Sequence, residues 1–252
     1  MSDSRLAVQL YTLREFLKTP ADIATTLHRV KQMGYDAVQL SALGKIEPEE
    51  LAKMLREEGL ICCATHTPME KLRDDPEHVI DEHKLWDCKY TAIGHHKVPT
   101  AREWETFAAT LNGLAAKYAS SDLKIGYHNH SHELALFDGR RALDILIDNC
   151  SKDVWFEIDT YWIQHGGGDP AAWIDRVANR IPCVHLKDMQ IKTDRTQLMA
   201  EVGEGNLNWT TIFQACERAG VEWYIVEQDT CQRDPFDSLA MSLRNLRQMG
   251  MR

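Results

Sequence analysis

The chain has 252 residues, of which 44% are hydrophobic and 27% are charged, and its formal net charge is −9. These values are typical of a water-soluble globular protein with a large core, and the negative charge argues against nucleic acid or an anionic membrane as a partner. The sequence has no signal-peptide pattern and no apolar run long enough to cross a bilayer. Its seven cysteines are scattered without a CxxC pair, which is typical of reduced thiols, so we expect a cytoplasmic protein.

Short apolar segments alternate with amphipathic segments along the whole chain. The amphipathic segments repeat apolar residues at helical spacing, as Ile23, Leu27 and Val30 do before Gly34 ends the first of them. Strands are predicted at residues 6–11, 36–40, 60–66, 90–94, 123–127, 154–159, 182–186 and 223–227, and the helices that follow them at 20–33, 47–58, 74–88, 100–119, 140–149, 170–177, 209–219 and 235–249.

This alternation predicts an α/β fold with a parallel sheet and right-handed crossovers. Eight strand–helix units in a chain of this length favour a closed (β/α)8 TIM barrel, as one domain over residues 1–252. The alternative is an open doubly wound sheet, but no GxGxxG motif follows the first strand. A long polar loop is predicted at residues 189–206.

The last four predicted strands begin apolar and end in residues that commonly bind metal ions. Asp159, His185 and Glu227 end three of these strands, and histidines and Glu133 follow the fifth strand. Because the C-terminal ends of barrel strands open on one face, which carries the active site, we expect these side chains to converge. Carboxylates gathered with an imidazole suit one divalent ion, Mn²⁺, Mg²⁺, Co²⁺ or Zn²⁺, since the cation removes the repulsion between the carboxylates.

Five motifs at or near these strand ends carry a family resemblance: residues 126–133, 157–162 with 168–170, 184–189, 201–205 and 224–229. In this order, they make the chain similar to the xylose-isomerase-like (β/α)8 barrels, also called the sugar phosphate isomerase/epimerase superfamily. The resemblance implies a divalent metal ion held by one residue from each of strands five to eight. Carried over to this chain, the ligands are Glu133, Asp159, His185 and Glu227.

Two positions depart from the pattern of the ketose epimerases in that superfamily. Those enzymes usually have a glutamate within the fifth strand, where this chain has His128, so the ligand from this strand is either Glu133 or a histidine, His128 or His130. They also often have a histidine three residues after the strand-six aspartate, where this chain has Trp162, a residue suited to stacking on a sugar face. The chain therefore resembles more closely other members of the superfamily, some of which are similar to enzymes that act on 3-keto sugars or 3-keto glycosides.

The resemblance implies chemistry on a small-molecule keto sugar or sugar derivative through an enediolate. Our first hypothesis is a metal-dependent sugar isomerase or epimerase, and the alternative is a lyase, deglycosylase or dehydratase that acts by β-elimination, because all three outcomes share the same proton abstraction. The predicted acid/base residues are Glu133, Glu227 and His130, with Lys187 as an electrostatic partner. The predicted substrate-binding residues are His66, His96, His128 and Trp162.

Two other function classes are compatible with the predicted fold. An endonuclease that cuts abasic DNA would need a basic face, which a chain with a charge of −9 and no basic stripe lacks. A non-catalytic sugar-binding subunit would lack bound metal. For the assembly, both a homo-oligomer and a complex with a different subunit are consistent with the resemblance.

Overall fold

Eight parallel strands close into a barrel in the computed structural model, which describes residues 5–251. Residues 1–4 and 252, which the predicted domain includes, lie outside the described residues. The first strand pairs with the second and with the last, which closes the sheet, so the predicted (β/α)8 barrel is confirmed. We number the barrel strands β1 (Arg5–Gln9), β2 (Ala37–Leu40), β3 (Ile61–His66), β4 (Tyr90–Ile93), β5 (Lys124–His128), β6 (Trp155–Asp159), β7 (Cys183–Leu186) and β8 (Trp223–Val226).

The helices between the strands match the predicted ones, with two additions. The helix predicted at residues 74–88 is observed at Pro76–Leu85, and an additional short helix, Met69–Asp74, precedes it. Asp75 separates the two, because it precedes Pro76 and has a non-helical backbone, as residues before proline usually do. A short helix also follows β6 directly. The helices are α1 (Pro20–Met33), α2 (Pro48–Glu58), α3 (Met69–Asp74), α4 (Pro76–Leu85), α5 (Ala101–Tyr118), α6 (Ala142–Asn149), α7 (Thr160–His165), α8 (Pro170–Arg176), α9 (Trp209–Ala219) and α10 (Pro235–Gln248).

The predicted loop at residues 189–206 is more ordered than expected. It contains an antiparallel hairpin of Asp188–Ile191 and Gln197–Ala200, whose short and half-exposed strands have no apolar run to reveal them. The Asp188 carboxylate anchors the chain after the hairpin, since it accepts hydrogen bonds from the Gly203 and Gly205 N–H groups at 2.9 and 3.1 Å and from the Trp209 indole at 2.6 Å.

Side chains that point into the barrel form a lower apolar layer and an upper polar layer. Because strand side chains alternate, the residue two positions after a lower-layer side chain points inward again, closer to the strand ends. The step from Trp155 to Glu157 on β6 and from Cys183 to His185 on β7 follows this rule, and all four side chains are buried. Gly126 leaves room for the Trp155 ring, which a Cβ atom at this position would overlap. The lower layer belongs to a buried apolar cluster of Ala7, Ala37, Cys63, Ala64, Tyr90, Ala92, Trp155, Cys183, Trp223 and Ile225.

A larger apolar core lies between the barrel and the helices. Helix α5 contributes Trp104, Phe107 and Leu111 to it, and each of these side chains is at most 3% exposed. Burial of such a side chain stabilises the fold by about 1.5–3 kcal/mol.

All seven cysteines are free thiols, as predicted. Among residues 5–251, no helix combines the length and apolarity needed to cross a membrane.

Candidate active site

Four buried donor residues converge where strands β5 to β8 end. One donor atom each from His128, Asp159, His185 and Glu227 lies within 4.8 Å of the other three, and we call this group the four-donor centre. His185 Nδ1 is 3.0 Å from Glu227 Oε2 and 3.7 Å from Asp159 Oδ2, and His128 Nε2 is 3.4 Å from the same Asp159 oxygen. The parallel register produces this convergence, since it sets Asp159 directly opposite His185.

The Asp159 carboxylate is held by the helix that follows it. Its Oδ1 accepts the Trp162 N–H at 2.9 Å and so caps α7, which leaves Oδ2 turned toward the other donors. Its own backbone N–H donates to the Asn129 side chain at 3.1 Å. Burial alone would raise the pKa of Asp159, but the Lys187 ammonium and the neighbouring histidines hold it well below the usual range. This carboxylate is therefore ionised at neutral pH.

Lys187 is fully buried and lies among three carboxylates. Its Nζ is 2.9 Å from Asp159 Oδ2, 2.7 Å from Glu227 Oε2 and 2.7 Å from Asp229 Oδ2. Burial would lower the pKa of this lysine, but the three carboxylates hold it well above its ordinary value. Thr160 fixes the lysine backbone, because its hydroxyl accepts the Lys187 N–H and donates to the Lys187 carbonyl.

A hydrogen-bonded chain behind His185 fixes the orientation of its ring. The Glu157 carboxylate can only accept, so the Gln39 amide nitrogen donates to it at 2.9 Å, and the Gln39 oxygen then faces His185 Nε2 at 2.6 Å. His185 Nε2 must therefore carry the hydrogen, which directs Nδ1 into the four-donor centre. The other oxygen of Glu157 contacts His66 Nε2 at 2.6 Å, at the wall of the cavity.

The chemistry of the four-donor centre fits a divalent cation. His185 Nδ1 is buried and has no hydrogen-bond partner within residues 5–251. It lies 3.0 Å from Glu227 Oε2, which also contacts the Lys187 ammonium at 2.7 Å. The carboxylates of Asp159, Glu227 and Asp229 surround the Lys187 ammonium, and Glu157 adds a fourth carboxylate behind His185, so negative charge is in excess. Burial would lower the pKa of His185, but Glu157 and Glu227 hold it well above its usual range, and a bound cation would take the place of the ring's extra proton.

A cavity of about 660 Å³ opens above the four-donor centre. His128, Glu227 and Asp229 form part of its floor, and His66 and Tyr11 stand on the side of β1 to β4. This volume lies in the range of small-molecule sites and accommodates a sugar. Residues at the end of β4 and in the segments after β2, β3 and β4 complete the lining: Ser41, Ala42, Thr67, Pro68, Met69, Glu70, Ile93, Gly94, His95 and His96, with His130 from the segment after β5.

The structure brings together three of the four predicted metal ligands, Asp159, His185 and Glu227. Glu133 lies apart, because its buried carboxylate accepts the Tyr127 hydroxyl at 2.6 Å and the His130 N–H at 2.9 Å, and burial raises its pKa. The fourth donor from this part of the chain is His128, one of the alternatives left open by the sequence.

The other predicted site residues divide between the cavity and its surroundings. His66, His96, His128 and His130 line the cavity. Trp162 packs behind His130, with ring centroids 5.3 Å apart, and its ring lies 5.6 Å from the Lys187 ammonium. Lys187 itself is buried beneath the cavity among the carboxylates.

The prediction from sequence missed Gln39 and the function of Glu157 as a link between two histidines. A signal for Gln39 was present, because Ala-Val-Gln-Leu occurs in both of the first two strands, where a glutamine interrupts an apolar run. Gln9 and Gln39 lie opposite each other at the polar ends of β1 and β2. Asp229 was also missed as a Lys187 partner, since it lies beyond the last residue of β8.

Comparisons with known proteins agree with this architecture. The model of the xylose isomerase-like TIM barrel family matches residues 27–249. A curated inosose dehydratase from Clostridium perfringens is 25% identical over 174 residues, which are 62% of this chain and 56% of the relative, so the chain spans about half the length of the curated relatives it matches. A solved sugar phosphate isomerase/epimerase from Parabacteroides distasonis superposes with a TM-score of 0.82 at 22% identity, over 98% of this chain and 94% of that one. A solved L-ribulose 3-epimerase superposes with a TM-score of 0.73 at 16% identity, over 98% and 94% of the two chains. The chain belongs to the xylose isomerase-like TIM barrel family.

Proposed function

We propose that this protein is a metal-dependent enzyme that removes the proton next to the carbonyl of a polyhydroxylated ketone, with loss of a β-hydroxyl as water. The observation that carries this proposal is the four-donor centre, which gathers two imidazoles and two carboxylates beneath a sugar-sized cavity. His128, Asp159, His185 and Glu227 would hold the ion. A divalent ion bound there would polarise the keto group and so acidify the adjacent C–H.

The chain's own residues account for binding and proton transfer. His130 and Glu227 line the cavity, so among the predicted acid/base residues they are within reach of a substrate, whereas Glu133 lies behind His130. His66 lines the same cavity and is held in place by Glu157, which suits it to donate to or accept from a substrate hydroxyl. Lys187 keeps the carboxylates of the floor ionised and in place.

The relatives favour elimination over isomerisation for the step that follows. The curated inosose dehydratases match at 24–28% identity, whereas the solved epimerase matches at 16%, a level that supports only the shared fold. Inososes are cyclic polyhydroxy ketones, so their carbonyl and neighbouring hydroxyl groups are the groups expected over the four-donor centre. Isomerisation or epimerisation, the first hypothesis from the sequence, begins with the same proton abstraction as elimination. The two reactions are distinguished by their products.

Incubation with an inosose in deuterated water, followed by mass spectrometry, tests the reaction. Elimination gives a product lighter by one water, whereas epimerisation or isomerisation gives a product of unchanged composition that carries solvent deuterium. The metal-loaded protein should form the lighter product. The Asp159→Asn and Glu227→Gln variants should lose both the metal and the reaction, whereas Asp194→Asn, an exposed aspartate on the hairpin, should keep both.

Elemental analysis of the purified protein tests the metal requirement independently of the substrate. About one divalent ion per chain is expected at the four-donor centre, and its loss in Asp159→Asn would support the proposal. A parent protein that binds no ion there after loading with Mn²⁺, Co²⁺ or Zn²⁺ would overturn the metal-dependent mechanism. A metal-loaded protein that releases no water from any keto sugar or inosose would overturn the dehydratase assignment.

A further inference from the structure

Three histidines that the four-donor centre does not use meet at the mouth of the cavity. They are His95, just after β4, and His130 and His132, after β5. The ring centroids of His95 lie 5.1 Å from those of both His130 and His132, and the latter two are 5.8 Å apart. One ring nitrogen of each lies within 4.8 Å of the other two. We call this group the three-histidine cluster.

The hydrogen bonds around His132 leave one of its nitrogens available as a ligand. Its Nε2 is 2.7 Å from the His96 carbonyl oxygen, which can only accept, so Nε2 carries the hydrogen. In the neutral ring, Nδ1 then presents a lone pair at 3.4 Å from the Glu133 carboxylate oxygen. Two lone pairs this close repel each other unless a proton or a metal cation lies between them. A histidine that donates its second N–H to a backbone carbonyl has the usual arrangement of a metal ligand.

His130 supplies an independent observation. Its Nδ1 is buried and has no hydrogen-bond partner within residues 5–251, although a buried polar nitrogen normally has one. The Glu133 carboxylate accepts the His130 backbone N–H at 2.9 Å, so the same buried negative charge fixes both His130 and His132. His95 is exposed and can adjust its position at little cost.

We propose that the three-histidine cluster is a second divalent metal site, selective for Zn²⁺, Co²⁺ or Ni²⁺. Imidazole nitrogens favour these borderline ions over Mg²⁺. A tetrahedral zinc with Zn–N bonds of about 2.0–2.1 Å sets its nitrogens about 3.4 Å apart, so nitrogens that lie within 4.8 Å of one another need to approach by at most about 1.4 Å. Because His95 and His130 line the cavity, the fourth position of the ion would face it and be open to an oxygen of a bound ligand. The site shares no ligand with the four-donor centre, although His130 is also one of the two acid/base residues within reach of a substrate in the proposed reaction.

Titration with Co²⁺ tests this proposal, using untagged protein so that no added histidines interfere. Bound Co²⁺ is counted by elemental analysis after dialysis and identified by its visible absorption. The test variant is His95→Ala/His132→Asn. Its matched control is His28→Ala/His78→Ala, which removes two histidines whose side chains are 57% and 52% exposed on the outer helices. Asp159→Asn reports on the four-donor centre separately.

The parent protein and the control should each bind two Co²⁺, and the test variant should bind one. Adding Asp159→Asn to the test variant should remove this remaining ion. If the four-donor centre binds no ion, the parent should bind one Co²⁺ that the test variant loses, so the two proposals fail separately. Should the test variant not fold, His95→Ala alone is expected to lower the binding affinity for one of the two Co²⁺ ions on the order of tenfold or more. Unchanged Co²⁺ stoichiometry, affinity and absorption in the histidine variants would overturn the second site.

Discussion

Replacement of Lys187 by methionine examines the electrostatics of the four-donor centre most directly. The ammonium contacts Asp159, Glu227 and Asp229 at 2.7–2.9 Å and is fully buried. Methionine has a similar length and no branch, so it can fill most of the same space without new contacts. The substitution therefore removes a positive charge and leaves the surrounding carboxylates without their partner.

The expected change in the free energy of unfolding follows from the burial of these groups. Removal of one partner from a buried ion pair costs about 3–5 kcal/mol, because the remaining charge stays desolvated and unpaired. The packing change from lysine to methionine adds less than about 1.5 kcal/mol. In EDTA, we therefore expect Lys187→Met to lower the free energy of unfolding by about 3–5 kcal/mol. With saturating Mn²⁺ or Zn²⁺, the loss should be smaller, since a cation at the four-donor centre neutralises Asp159 and Glu227.

Urea unfolding measured with and without metal, at several pH values, checks this reasoning. Lys187 holds the pKa values of Asp159 and Glu227 down, so in the variant these groups take up protons more readily and the deficit should shrink as the pH falls toward 4. Lys192→Met, at an exposed position of the hairpin, is the control and should leave stability unchanged. A Lys187→Met deficit below about 1 kcal/mol in EDTA, the range of an exposed ion pair, would refute the buried-charge argument.

Two further outcomes follow from the packing and the charges. Gly126→Ala should cost about 1–3 kcal/mol because its methyl group would overlap the Trp155 ring. Gly113→Ala, in the middle of α5 with nothing within 4 Å of the added carbon, should stabilise by about 0.4–1 kcal/mol. Equal urea midpoints for these two variants would contradict the prediction. Because the pKa values of Glu157 and Asp159 are depressed in the folded state, their contribution is present above the unfolded values of about 3.9–4.3 and is lost as the pH falls below them. Urea unfolding in EDTA between about pH 6 and pH 3 measures this loss, and a flat stability profile would count against it.

The sequence predicts the barrel well because the same pattern, a strand-like segment followed by a helix-like segment, occurs in every unit. Each apolar run is short and is followed by an amphipathic helix, so the parallel order and the direction of the strand ends follow from general rules. Asp159 and His185 are predictable for the same reason, since alternation within a strand fixes where their side chains point. The hairpin at Asp188–Ala200 was not predicted, because its strands lie outside the barrel and carry no comparable pattern.

Residues beyond a strand end escape that rule. Glu133 follows β5 by five positions, and the direction of its side chain depends on a short 3-10 turn and on the Tyr127 hydroxyl that it accepts. Periodicity cannot supply either contact. His128, by contrast, is the last residue of β5, and its register opposite Glu157 points it inward. The identity of the strand-five donor thus depends on how β5 pairs with its neighbours in the sheet. This pairing register is known only from the folded structure and cannot be read from one sequence.

The two halves of the barrel contribute different parts of the site. The four-donor centre comes from β5 to β8, whereas most of the cavity wall comes from the segments after β1 to β4, such as Tyr11, Ser41 and Met69. Changes in those segments can reshape the cavity while the donor atoms stay where the strands hold them. Mutations in the first half of the chain can therefore change which ligands fit the cavity, while the second half keeps the four donor atoms in position.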